Sequence, residues 1–190
     1  MSSKGFRERI LEVYEDGAAL TNSTTLTSLL PASAKEATLG AGRLRIGSTI
    51  AFCFSGRIST VVTTPGTLTF GLRLGSTDVL SSGALALNTT AQTNVNWVYE
   101  GEIIVRAVGL TTVTTFMPKG VKFTSHAVIG APAPTAGGAA SHLVPFNAAP
   151  AVGTGIDFSV SQLIDFNATW SVASASNSIT LHAGHIDVYT

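Results

Sequence analysis

The residue types best able to do chemistry in this 190-residue sequence are four histidines, one cysteine and eleven acids. His182 and His185 lie in "HAGH", which invites a metal reading. On a strand, residues three apart point to opposite faces. Only a turn at Ala183 and Gly184 would bring the two rings together, and no third ligand is suggested nearby. A single Cys excludes both an intramolecular disulfide and a cysteine-based zinc site. Cys53 sits in the apolar run "IAFCFSG" with no His near it in sequence. Apolar surroundings raise a thiol pKa, so Cys53 reads as an inert packing residue. Glu100 and Glu102 share a strand face about 7 Å apart at Cα. A glycosidase dyad uses similar spacings, but so does any solvated strand. No G-x-S-x-G, Walker A or H-E-x-x-H motif occurs. Trp97, Tyr99 and Trp170 carry rings able to stack on a sugar, yet on alternating strands such rings belong to the core. Asn22, Asn88 and Asn167 open Asn-x-Ser/Thr triplets, which a Thr-rich chain produces by chance. The sequence therefore reads as a protein that binds or builds, not an enzyme, with no metal and no cofactor.

Composition narrows the partners. Hydrophobic residues make up 45% and charged residues 12%, about half the usual charged share. Formal net charge is zero, so nothing draws the phosphates of nucleic acid or an anionic membrane surface. No apolar run approaches the ~20 residues of a membrane span. The opening "MSSKGFRERILEVYEDG" is charged throughout, and no secretory leader is expected. So few charges suggest that part of the surface is hidden in an assembly. A plain secreted Thr-rich β domain is the alternative.

The elements that must position these residues fall into two parts. Seven of the 22 formal charges lie in the first sixteen residues. Phe6, Ile10, Val13 and Tyr14 recur at i, i+4, i+7 and i+8, the stripe of a short amphipathic helix. Residues 1–19 are thus expected to form a helical arm that docks on its own body, a neighbouring subunit or another protein. Such a short helix is marginal unless something packs on its stripe.

Residues 20–190 read as β throughout. "STIAFCFSGRISTVV" alternates Ile50, Phe52 and Phe54 against Ala51, Cys53 and Ser55. "TTPGT" reads as a Pro-Gly turn that makes a hairpin with the next strand, "TLTFGLRL". There Leu68, Phe70, Leu72 and Leu74 face inward. Thr67, Thr69, Gly71 and Arg73 face outward with one charge among them, which suggests a covered face. Trp97, Tyr99, Ile103 and Val105 share a face, as do Val121 and Phe123. Phe158, Val160, Ile164, Phe166, Trp170 and Val172 share one parity. Residues 82–96 and 131–150 read as long irregular loops. About eight strands without intervening helices mean an antiparallel two-sheet sandwich, and the jelly roll fits the long loops best. An immunoglobulin-like sandwich is the runner-up, without its Cys…Trp…Cys signature.

The run "SGRISTVVTTPGTLTFGLRLGSTDVLSSGALALNTTAQTNVNWVYEGEIIVRAVG" resembles structural proteins of tailed bacteriophages and related prophages. So do "DGAALTNSTTLTSLLP", "FTSHAVIG" and "APAVGTGIDFSVSQLIDFNATWSVASASNSITLHAGHIDVY". The likeness spans roughly residues 16–188. It implies a virion component: a capsid decoration (cement) protein made in the bacterial host cytoplasm and bound to the capsid surface. The alternative is a head-fibre or tail-associated module that binds host glycans. Expected partners are the major capsid protein or another virion protein, and further copies of the chain in a homotrimer. On this expectation Phe6, Ile10, Val13 and Tyr14 fill a groove on the shell while Arg7 and Arg9 meet carboxylates at its rim. Thr67, Thr69 and Arg73 then lie at the subunit interface.

Overall fold

The computed structural model describes residues 5–61, 63–109, 113–130, 139–146, 148–153 and 155–190. Its strands, in chain order, are β1 (Arg7–Val13), β2 (Leu20–Thr21), β3 (Thr27–Ser28), β4 (Thr38–Leu39), β5 (Thr49–Thr60), β6 (Thr67–Leu74) and β7 (Thr77–Ser81). They continue with β8 (Leu85–Ala86), β9 (Gln92–Ala107), β10 (Thr115–His126), β11 (Ala139–Leu143), β12 (Gln162–Trp170) and β13 (Ser178–Tyr189). Two antiparallel sheets pack as a sandwich. The larger runs β1-β13-β5-β9-β10-β11, with β2 also on β13. The smaller runs β3-β12-β6-β7, with β4 on β12 and β8 on β6.

Numbering the principal strands β1, β3, β5, β6, β7, β9, β12 and β13 from one to eight gives sheet orders 1-8-3-6 and 2-7-4-5. Each sheet thus alternates strands from the two ends of the chain, which is the double Greek key of a jelly roll. The β9–β10 hairpin and β11 widen the larger sheet beyond that plan.

The core follows from period-two burial. Phe52, Phe54, Phe70, Trp97, Phe123, Phe166 and Trp170 are all at most 3% exposed. Phe54 of the larger sheet stacks on Phe166 of the smaller at 4.1 Å between centroids. Phe70 touches Trp97, Tyr99, Phe123 and Phe166 at 5.2–5.6 Å. Burial pushes the Tyr99 hydroxyl pKa well above its ordinary value.

Four sequence expectations need correction. The N-terminal helical arm is instead strand β1, paired antiparallel with β13. Pairing gives its backbone groups partners and buries Leu11 and Val13 to 3% exposure. A two-turn helix offers neither, and it would hold Glu8 and Glu12 together at i, i+4. Second, β5 and β6 form no hairpin. β5 has β13 and β9 on its two sides, so the Pro65-Gly66 turn carries the chain across to the other sheet. Gly66 takes φ +76°, and a Cβ there would lie 2.5 Å from Ser171 Oγ, so the crossing requires glycine. Third, Val160 and Val172 are exposed because they lie beyond the ends of β12, where strand parity no longer holds. Fourth, the two expected long loops contain strands: β8 and the start of β9 in 82–96, and β11 within 131–150. Residues 131–138 of the second loop lie outside the described residues.

Candidate docking surfaces

The N-terminal residues expected to grip a partner are largely committed to their own chain. Arg7 Nη2 donates to Asp187 Oδ2 at 2.7 Å, and Arg9 Nε donates to Asp187 Oδ1 at 3.0 Å. Arg9 also bonds Glu12 at 2.5 Å, and Arg43 bonds Glu8. The Asp187 side chain is only 2% exposed. Burial by itself pushes its carboxyl pKa up, but the bonds from Arg9 and Arg7 outweigh burial and hold it below the usual carboxylate value. The same bonds raise both arginine pKa values. Val13 is core and Ile10 packs partly against it. Of the apolar members, Phe6 and Tyr14 keep open surfaces, one just before β1 and the other just after it.

The Thr face lies on the outside of the smaller sheet. Thr67 and Thr69 are half-buried, and Thr69 stands opposite Thr169 of β12. Gly71 is buried because Asn167 lies over it. A Cβ on Gly71 would come within 2.6 Å of Asn167 Oδ1. Arg73 finds its acidic partner in its own chain, an ion pair with Asp78 at 2.9 Å, and donates to the Ser76 carbonyl. The cation of β6 on this face is thus already paired within the chain.

A third surface forms where loops converge at the end of the sandwich that carries Phe6 and Tyr189. Phe6 and Thr190 exchange backbone hydrogen bonds there. Gly47 N donates to the Val105 carbonyl, Gly42 N donates to the Phe158 carbonyl, and Thr114 bridges Ile156. These bonds draw segments 40–48, 105–109, 113–114 and 156–161 together. Leu44, Val108 and Phe158 line a shallow depression between them. At the same end of the sandwich lie Phe6, Ile46, Val108, Val113, Val160 and Tyr189, six of the twelve exposed large hydrophobics among the described residues. Ile46 is 71% exposed and Phe6 63%, which is hard to reconcile with a surface that stays bare. Sequence reading missed this surface because its members come from three loops and the two chain ends, each contributing one or two apolar residues with no period.

Among the described residues no cluster of three His, Cys, Asp or Glu side chains is placed to hold a metal. A bulge between Leu181 and Ala183 resets the parity of β13. His182 then contacts Asp16 at 2.6 Å while His185 lies 3.6 Å from Asp187. Glu100 and Glu102 are paired with Lys122 at 3.0 Å and Lys119 at 2.8 Å. Cys53 is half-buried, and burial, then the Glu100 charge, raises its thiol pKa. No protein-family model matches the chain, and no curated protein matches it.

Proposed function

We propose that this chain is a virion structural protein of a tailed bacteriophage, a decoration protein that binds the outside of the capsid. The resemblance of residues 16–188 to phage structural proteins supports the context. The apolar end of the sandwich carries the mechanism. In a chain with 12% charged residues, half of the large exposed hydrophobics among the described residues lie at one end, Ile46, Val108 and Val160 among them. Burying them against a shell subunit yields roughly 25 cal/mol per Å² of apolar area. Many copies on one particle turn a modest contact into durable attachment. The Thr67–Thr69 face suits a second kind of contact, between copies, because hydroxyls desolvate at less cost than charges. A trimer there matches the local threefold axes of an icosahedral shell.

The test has two parts. Quantitative mass spectrometry of purified particles should find the chain in tens to hundreds of copies, whereas a handful points to a fibre or tail part. The variant Ile46→Lys with Val160→Lys should fold normally and lose at least tenfold in particle occupancy. Wild-type occupancy of that variant overturns the assignment of the docking end.

A further inference from the structure

The outer face of the larger sheet carries a concavity that is separate from the Thr face and meets the docking end only at Tyr189. Its volume is about 580 Å³, inside the range of small-ligand sites, about 300–1,000 Å³. Its floor is Ala51, Cys53 and Gly101 on the central strands β5 and β9. One wall is Arg7, His185 and Tyr189, resting on the buried Asp187. The other wall is the two ion pairs Lys119–Glu102 and Lys122–Glu100.

Two features show that this site is assembled and not a by-product of strand alternation. First, six of its thirteen lining residues are formally charged, in a chain where charges are 12% of residues. The neighbouring outward positions on the same strands are Ser55, Val98 and Thr124, so charge is concentrated around the hollow. Second, a bulge interrupts the β9–β10 ladder between Lys119 and Lys122. Gly120 sits in it at φ +62°. The extra residue puts two lysines, three apart in sequence, on one face, where each meets a glutamate of β9. Strand periodicity alone would have sent one of them to the opposite side of the sheet.

We propose that this concavity binds a neutral, multiply hydroxylated ligand, an oligosaccharide. Its three cations, Arg7, Lys119 and Lys122, balance its three anions, Glu100, Glu102 and Asp187. A polyanion would meet the glutamates and a polycation the lysines, so neither is favoured. A hydroxyl donates and accepts at once. Each lysine–glutamate pair presents a donor and an acceptor 2.8–3.0 Å apart, which is the complement of adjacent ring hydroxyls. The Arg7 guanidinium lies 5.8 Å from the centre of the Tyr189 ring. That ring, 37% exposed, supplies the apolar surface against which the C–H face of a sugar packs. Asp187 is a positioning residue, holding Arg7 in the wall without reaching the ligand.

The experiment uses the isolated full chain, so its outcome is separate from capsid attachment. Two-dimensional amide NMR follows titration with maltose, cellobiose, lactose and diacetylchitobiose, with a sulfated disaccharide as the anionic comparison. At least one neutral sugar should give saturable shifts confined to residues 51–53, 100–102, 119–122 and 185–189, with Kd on the order of millimolar. The same sugar should slow alkylation of Cys53, the only thiol, at mildly alkaline pH. Ala51→Trp, which fills the floor from the outer face, should abolish the shifts, and Lys122→Ala should weaken binding at least fivefold. Arg57→Ala, farther along β5, should change nothing. The absence of saturable shifts with every neutral sugar, shifts outside the concavity, or tighter binding of the sulfated disaccharide would each overturn the proposal.

Discussion

Replacing Phe70 by Ala tests the packing argument where it is most exacting. Phe70 has no exposed surface and contacts four rings, Trp97, Tyr99, Phe123 and Phe166, which are themselves fully buried. Those rings stand on β9, β10 and β12, so both sheets hold the walls of the site and little collapse is available. A truncated buried Phe costs about 3–5 kcal/mol, and rigid walls place this one in the upper half of that range. Against a typical domain stability of about 5–15 kcal/mol, the variant is close to unfolding. Its melting temperature should fall by roughly 8–20 °C at 2–4 °C per kcal/mol. Urea denaturation followed by fluorescence of the buried Trp97 and Trp170 measures the loss. Phe70→Leu, which keeps most of the volume, should lose much less, about 1.5 kcal/mol. A loss below about 1 kcal/mol for Phe70→Ala would refute both the inward parity of β6 and the aromatic centre built around it.

Other outcomes follow from the same geometry. Tyr99→Phe should be neutral or stabilising by about 1 kcal/mol in the same urea assay, because the Tyr99 hydroxyl is buried with no protein partner. Deleting residues 1–16 should lower stability and solubility, measured by melting and light scattering, because it strips the partner of β13 and leaves Asp187 without its arginines. The Asp187 pKa is depressed by folding, so its contribution is full above the ordinary aspartate value of about 3.9 and is lost as pH falls below it. Wild-type stability should therefore drop on acidification below about pH 4 more steeply than that of Asp187→Asn, as read by melting at each pH. If copies pair through this face as proposed, lysines introduced together at Thr67 and Thr69 should reduce the assembly to monomers in light scattering. An unchanged assembly state would remove that face from the interface.

The sheet strands were legible because large apolar side chains recur at every second position along them: Ile50 to Phe54, Leu68 to Leu74, Trp97 and Tyr99. Reading failed where an extra residue breaks the alternation. In β1 the register shifts between Arg9 and Leu11, so the apolar residues fit a helical stripe better than a strand. The stripe omitted Leu11, one of the two residues that anchor β1. The same blindness hid the convergence of Lys119 with Lys122 and the resetting of parity at His182. The Pro-Gly turn after β5 announces a reversal but not whether the chain stays in its sheet. That depends on β13 and β9 having taken both edges of β5, a fact held by residues far away in sequence. The docking end was illegible for a related reason, since Ile46, Val108 and Val160 are brought together only by loop-to-loop hydrogen bonds.

The position of β13 has a consequence for how the molecule comes into being. It lies between β1 and β5, pairing with both, although it is the last strand in the sequence. During synthesis β1, whose strand partner is β13, and one edge of β5 thus stay unpaired until residues 178–189 have been made. The larger sheet cannot close gradually from one end. It is completed only when β13 pairs with β5 and β1 pairs with β13. Pairings this distant in sequence make folding slow and leave unpaired edges available to other chains. A nascent or truncated chain lacking residues 178–189 is therefore the species most open to strand exchange with a neighbouring copy.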